Sequence, residues 1–149
     1  MPDIDDLVIR PMRTDDAEIA AELCLQLGYE RSPLQIREWM REAADIGSAR
    51  AAFAACIGET VAGWVEVSIQ QRLQSDSFAL IGGLVVDERF RGRNIGQRLC
   101  QHAEAWAWER GIKTVRVTSR NTRIDAHRFY LRDGYELTKT SLAFEKKRQ

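Results

Sequence analysis

Apolar and polar positions in the first third of the chain predict one short strand followed by two helices. The apolar run at 7–10 is typical of a strand. Apolar residues then recur at helical spacing over 19–27, and Gly28 fits the end of that helix. A second helix is predicted from Ser32, because a capping serine is followed by proline and, three residues on, by glutamine.

The middle of the chain changes to apolar runs that predict three strands. Residues 51–57 and 61–69 read as two strands joined by a Gly-Glu turn, and the polar stretch 70–77 is expected to be a loop. Residues 78–86 are apolar nearly throughout, as in a central strand covered on both faces. Two glycines at 82 and 83 interrupt this run, which predicts a bulge or a close approach of a ligand.

The second half returns to alternating helices and strands. Helical spacing predicts a long helix over 95–109, alternation predicts a strand over 114–118, and a short helix is expected to end near Arg132. Two closing strands are predicted at 135–137 and 142–144. The order β-α-α-β-β-β-α-β-α-β-β predicts an α/β fold with a mixed sheet, in a single domain over 1–149.

The composition disfavours nucleic-acid binding, membrane binding and metal binding. Lys plus Arg equals Asp plus Glu at 22 each, so no overall field attracts nucleic acid or an anionic membrane. No signal peptide or membrane span is apparent. The three cysteines stand in apolar contexts without metal-ligand spacing. We therefore expect a cytoplasmic protein with reduced thiols, no metal, and neither nucleic acid nor membrane as a partner.

The stretch 84–99 carries the strongest functional signal. An apolar strand end leads into a glycine-rich basic turn and then directly into the long helix. Such a turn binds phosphate, because helix-start N–H groups and the helix dipole both favour an anion there. The spacing is that of neither a Walker loop nor a dinucleotide fingerprint, so a purely structural corner is the alternative. The strand end and turn comprise Leu84, Val85, Val86, Arg91, Gly92, Arg93, Asn94, Ile95, Gly96 and Gln97.

The motif at 91–96 resembles the Q/R-x-x-G-x-G/A signature of the GNAT superfamily of acyl-CoA-dependent N-acetyltransferases. The fourth position is usually glycine and is Asn94 here, a residue that tolerates left-handed backbone angles. The resemblance continues through Asn121 and the segment 126–130 to Gly134-Tyr135, and so covers the second half of the chain. In the first half only the order of elements agrees.

The resemblance implies a GNAT-like, largely antiparallel sheet flanked by helices. It also implies that the protein could form a homodimer. It also implies acetyl-CoA as acyl donor, with the pyrophosphate at residues 91–97. The backbone of residues 84–86 and the side chain of Asn121 would then bind the pantetheine arm. Tyr130 matches the tyrosine that protonates the leaving thiolate, and a phenol stays protonated at neutral pH.

The general base is not given by the resemblance. Many family members carry a glutamate where this chain has Phe78. Glu66 is the strongest substitute, because a carboxylate on a half-buried strand has its pKa raised by desolvation. An outward-facing strand residue is an equal alternative for Glu66. Asp76 and a water relay are the other candidates.

These observations lead to one principal hypothesis and one alternative. The first is direct transfer of acetyl from acetyl-CoA to a primary amine of a small molecule or peptide, since no cysteine has a visible activating partner. The alternative is a catalytically degenerate module that senses acyl-CoA or binds a partner. Polyamines, amino acids, aminoglycosides and protein N-termini all stay open as acceptors.

Overall fold

A computed structural model describes residues 6–45, 47–119 and 123–149 of the chain. The chain divides into two compact units, Met1–Val117 and Thr118–Gln149. The first holds the sheet and the three longer helices, and the second holds one short helix. A single domain over 1–149 stays a prediction.

The order of elements in the first unit follows the predicted order. The unit contains β1 (Leu7–Pro11), α1 (Ala17–Leu27), α2 (Pro33–Ala43), β2 (Arg50–Ile57), β3 (Thr60–Arg72), β4 (Ser75–Val86), α3 (Ile95–Glu109) and β5 (Val115–Val117). The predicted start of α2 is confirmed, because the Ser32 hydroxyl accepts from Gln35 N–H while the Gln35 side chain accepts from Ser32 N–H.

The five strands form one sheet in the order β1-β2-β3-β4-β5. The first four strands pair antiparallel with their neighbours, and β5 pairs parallel with β4. The expectation of a mixed, largely antiparallel sheet flanked by helices is therefore confirmed.

Helices cover both faces of the sheet. On one face α3 packs against β3 and β4, and its His102 ring contacts Phe53 of β2 at 4.5 Å between ring centroids. On the other face Leu23 of α1 lies in a buried cluster with Ala54 and Val85, and Trp64 packs against it. Because strand side chains alternate between faces, residues 66 and 68 of β3 lie on the α1 side together with Trp64.

A bulge interrupts the pairing of β3 with β4. Glu66 pairs with Gly83 while Val67 pairs with Ile81, so Gly82 is the extra residue on β4. The predicted break at the glycine pair is confirmed. A side chain at Gly83 would also collide with the Trp64 ring, at 2.8 Å, which explains why this position needs glycine.

Two predictions about loops and strands are wrong. The stretch 70–77 is mostly strand, because β3 runs to Arg72 and β4 starts at Ser75, with the Arg72 guanidinium over the Phe78 ring. Conversely, residues 135–149 contain no strand, so the closing strands at 135–137 and 142–144 are absent. Leu137, Leu142 and Phe144 are exposed there, and no neighbouring strand supplies the ladder that their pattern would need.

The second unit contains α4 (Ile124–Arg132). Gly134, with a φ of 92°, follows the helix end, and Tyr135 N–H donates to Tyr130 O at 3.0 Å. Among the described residues, no helix of either unit is long and apolar enough to cross a membrane.

Candidate functional site

The turn between β4 and α3 is held by a buried carboxylate. Asp87 accepts from Arg89 N–H at 3.0 Å and from the Arg89 guanidinium at 2.8 Å. The hydrogen bond from the Arg89 side chain lowers the pKa of Asp87, against the opposing effect of burial. Phe90, three residues after Asp87, is buried. The turn therefore leaves the strand in a fixed direction.

The α3 start has the backbone geometry that the sequence motif predicts. Gly92 has a φ of 81° and Asn94 a φ of 62°, both in the left-handed region. Arg98 N–H donates to Asn94 O at 3.1 Å, which is the first helical bond of α3. The N–H groups of residues 95–97 precede that bond, and the Asn94 side chain does not cap them.

Arginine side chains surround this helix start. Arg91 is exposed and its Nε donates to Val86 O at 3.3 Å. The guanidinium groups of Arg89 and Arg93 lie 5.5 and 5.7 Å from the centroid of the Phe90 ring. Positive side-chain charge and the positive end of the helix dipole thus coincide at one place.

The backbone edge of β4 is available next to this turn. Pairing with β5 ends at Ile81, whereas β4 continues to Val86. Asp87 N–H donates to Ala62 O of β3 at 2.8 Å. Because backbone groups alternate along a strand, the N–H and C=O groups of Leu84 and Val86 point away from β3. The intervening Val85 directs its side chain into the buried cluster.

Glu66 lies against the bulge in β4. A methyl group added at Gly82 would approach the Glu66 Oε1 atom to 2.9 Å, so the carboxylate occupies the space beside that glycine. Burial raises the pKa of the Glu66 carboxyl above its ordinary value, and the charge of Arg50 offsets part of the rise. Glu66 is half-buried, so the interpretation of it as a merely outward-facing strand residue is disfavoured.

A cleft of about 440 Å³ opens above Glu66 on the α1 and α2 side of the sheet. Trp39 of α2 is half-buried and lines this cleft. The Arg50 guanidinium lies over the Trp39 ring at 5.0 Å and pairs with Glu42 at 2.5 Å. The remaining lining residues are Ser48, Ala49, Ser68, Ile69 and Gln70.

Sequence reasoning missed most of this cleft. Arg50 was not among the candidate residues, although the polar positions 66, 68 and 70 alternate along β3 and signal a polar face. Asp76, the second candidate base, is exposed near the start of β4. No group of three potential metal ligands occurs among the residues that the structure describes.

The remaining two candidate residues are Tyr130 and Asn121. Tyr130 lies on α4, and its ring meets those of Phe129 and Tyr135 edge to face, at 5.2 and 5.8 Å. Asn121 lies outside the described residues. Their roles remain predictions.

The chain is similar to several known acetyltransferases and to other proteins of the same fold. An aminoalkylphosphonate N-acetyltransferase of Salmonella typhimurium is 38% identical over 80 residues, which span 53% of this chain and 51% of that protein. A crystal structure of a transcriptional regulator from Bacillus halodurans matches with a TM-score of 0.81 and 26% identity, over 94% of this chain and 99% of that one.

A third relative has a bound ligand. The aminoglycoside N-acetyltransferase AAC(6')-Iy in complex with CoA matches with a TM-score of 0.82 and 19% identity, over 95% of each chain. At this identity the likeness shows the fold alone. The profile of the acetyltransferase (GNAT) family matches residues 15–135, which is most of the chain. The chain belongs to the acetyltransferase (GNAT) family.

Proposed function

We propose that this protein transfers an acetyl group from acetyl-CoA directly to a primary amine of a small molecule or peptide. The observation that carries the proposal is the position of Glu66. Its carboxylate lies beside the Gly82 bulge, at the end of the β4–β5 pairing, and it forms part of a cleft wall. A proton acceptor, an open strand edge and an anion-binding helix start thus follow one another along β4 and the turn after it.

The residues of the turn fit the phosphates of an acyl-CoA. The N–H groups of residues 95–97, which the Asn94 side chain does not cap, are donors for an anion, and the space beside Gly92 is open. Leu84 and Val86 offer strand-edge N–H and C=O groups to the amides of the pantetheine arm. Asn121 is proposed as a further contact to that arm.

The chemistry requires the amine to lose two protons and the thiolate to gain one. The carboxylate of Glu66 takes the first proton from the protonated amine, either directly or through a water, so that the nitrogen lone pair can attack the thioester carbon. The new C–N bond forms as the C–S bond breaks, and the nitrogen gives its second proton to solvent, which leaves a neutral amide. Tyr130 is proposed to give its phenolic proton to the departing thiolate and to regain a proton from solvent. A raised pKa suits Glu66 to this role, because it brings the carboxyl closer to neutral pH.

The named relatives support an amine as acceptor. One acts on aminoalkylphosphonates and the other on aminoglycosides, according to their names. Two departures from the family pattern favour the non-catalytic alternative: Phe78 stands where many members carry a glutamate, and Asn94 stands where the motif usually has glycine. Asn94 adopts the left-handed geometry of the motif, and Glu66 occupies a half-buried position, so both observations favour an enzyme.

Calorimetry with acetyl-CoA tests donor binding. We expect micromolar affinity, about −8 kcal/mol, for the unmodified protein. The Gly96→Glu variant should lose it, since a carboxylate at the helix start repels phosphate. Circular dichroism of this variant controls for folding. Absence of binding by the unmodified, folded protein would contradict the proposal.

A Tyr130→Phe variant then separates an enzyme from a sensor. An enzyme should lose turnover, followed as thiol release, and keep its affinity for acetyl-CoA. If the unmodified protein binds acetyl-CoA but acetylates no amine of a broad panel, the non-catalytic alternative is correct.

A further inference from the structure

We propose that the acceptor is a small zwitterion, an amine that also carries a carboxylate, phosphonate or phosphate group held by Arg50. This inference rests on the proposed function, because it assigns the acceptor of the same site. It is drawn from the charges and distances in the cleft above Glu66.

Arg50 is the one cationic side chain among the described residues that line the cleft. It extends from the start of β2, and its guanidinium lies over the Trp39 ring at 5.0 Å. This cation–π contact holds the guanidinium from one side, and its Nη2 donates to Glu42. A guanidinium edge binds the oxygens of carboxylate and phosphonate groups in pairs.

The present partner of Arg50 is easily exchanged. Glu42 of α2 pairs with Arg50 at 2.5 Å, but the Glu42 side chain is 72% exposed. A pair with one partner so exposed contributes little stability, since water solvates both charges when it opens. A ligand anion that enters the cleft can therefore replace Glu42 on Arg50 at small cost.

Arg50 and Glu66 lie at a spacing that suits a short zwitterion. Ala52 of β2 pairs with Glu66 of β3, and Arg50 is two residues from Ala52 on the same face of the sheet. Diagonal neighbours of this kind are about 7–8 Å apart along the sheet. The charge of Arg50 is also close enough to lower the pKa of Glu66. With the anion at Arg50 and the nitrogen at Glu66, we therefore expect a short acceptor.

Purely cationic acceptors fit the cleft less well than a zwitterion. The two carboxylates that line it, Glu42 and Glu66, can each receive an amine, but a polyamine or an aminoglycoside offers no anion to Arg50. Such acceptors are included in the test as competing outcomes.

Matched pairs of acceptors test the inference. β-Alanine is compared with β-alaninamide, and 2-aminoethylphosphonate with its neutral diester, so that only the anion differs within each pair. Spermidine and an aminoglycoside represent cationic acceptors. Steady-state kcat and KM are measured for the unmodified protein and for Arg50→Gln and Glu42→Gln variants. The two pairs also show whether a carboxylate or a phosphonate is the better anion.

We expect each zwitterion to have a KM lower than its anion-free partner by roughly 10- to 100-fold, the range of a hydrogen bond to a charged group. Arg50→Gln should remove this difference by raising the KM of the zwitterion alone. Glu42→Gln is the matched control, because it deletes the other half of the ion pair and should lower the same KM or leave it unchanged. A merely structural role of the pair would make both variants alike.

Three results would overturn the inference. Equal KM values within each pair, a preference for the cationic acceptors, or an equal loss with both partners of a pair in Arg50→Gln would each show that Arg50 does not bind an acceptor anion. None of these three results would contradict the proposed acetyl transfer. Absence of turnover with every amine would instead reject the proposed function, and the zwitterion with it.

Discussion

The Glu66 carboxylate and the Gly82 backbone share one small space at the β3–β4 bulge. A methyl group at Gly82 would come within 2.9 Å of Glu66 Oε1 and 3.1 Å of Oε2. The atoms it would displace are the far end of a flexible side chain, so the fold can accommodate the change while the carboxylate moves. The position of the proposed base therefore depends on the lack of a side chain opposite it.

Gly82→Ala should reduce kcat with little loss of stability. Displacing a general base forfeits part of its contribution, which is typically about 10²- to 10⁴-fold, so we expect a loss of at least about tenfold. The measurement is a double-mutant cycle with Glu66→Gln. The glycine substitution should have no further effect once the carboxylate is gone, and additive losses would mean that Gly82 acts independently of Glu66.

The neighbouring Gly63 offers a contrast in stability. A Cβ there would meet the Val85 backbone oxygen at 2.6 Å, and backbone cannot move aside as a side chain can. We therefore expect Gly63→Ala to lower the free energy of unfolding by about 1–3 kcal/mol, as overpacked sites do. Chemical denaturation measures this, and an unfolding midpoint equal to that of Gly82→Ala would contradict it.

Activity should fall at acid pH through the titration of Glu66. Burial raises the pKa of this carboxyl, and Arg50 lowers it in part. Since the base works deprotonated, activity is present above this pKa and is lost as the pH falls through it. Arg50→Gln should move the acid limb of the kcat profile to higher pH. An acceptor without an anion, such as β-alaninamide, keeps anion binding by Arg50 out of the comparison, and an unmoved limb would argue against Glu66 as the titrating group.

The raised pKa of Glu66 also makes the free energy of unfolding depend on pH. A carboxyl whose pKa is higher in the folded state stabilises the fold when protonated, and this contribution is lost as the pH rises through the folded-state pKa. Glu66→Gln mimics the protonated form. Thermal unfolding should therefore show a higher Tm for the variant at pH 8 and equal Tm values near pH 4. A lower Tm at pH 8 would mean that the charged carboxylate is stabilising.

Substitutions at Asn94 test whether its left-handed backbone conformation matters for stability. Its φ of 62° is left-handed, and it is the only non-glycine residue with positive φ in the described parts of the chain. Asn94→Gly should keep both stability and acetyl-CoA affinity. Asn94→Ala should cost about 1–2 kcal/mol of unfolding free energy, because alanine adopts left-handed backbone angles less readily than asparagine or glycine. Equal denaturation midpoints for the two variants would contradict the assignment.

Local patterns predicted the parts of the molecule that local forces determine. The Ser32 cap, the helix over 95–109 and the break at the glycine pair follow from neighbouring residues, and all three are present. The left-handed Asn94 follows likewise from its place in the motif.

Contacts between distant segments could not be read from the sequence in the same way. Arg50 meets Trp39 and Glu42 only because α2 packs against β2, and no short-range pattern encodes that packing. The strands predicted after Gly134 do not form, for the converse reason. Their alternating pattern gives them a propensity, but a strand also needs a neighbour to complete its hydrogen bonds.

The most direct test of the account is detection of the product. The purified protein is incubated with acetyl-CoA and the amine panel, and acetylated amines are identified by mass spectrometry alongside the Glu66→Gln variant. The account predicts an N-acetylated product that accumulates in step with free CoA, and a rate lower in Glu66→Gln by roughly 10²-fold or more. An acetylated product formed equally fast by both proteins would contradict the role of Glu66, and no product from any amine would contradict acetyl transfer itself.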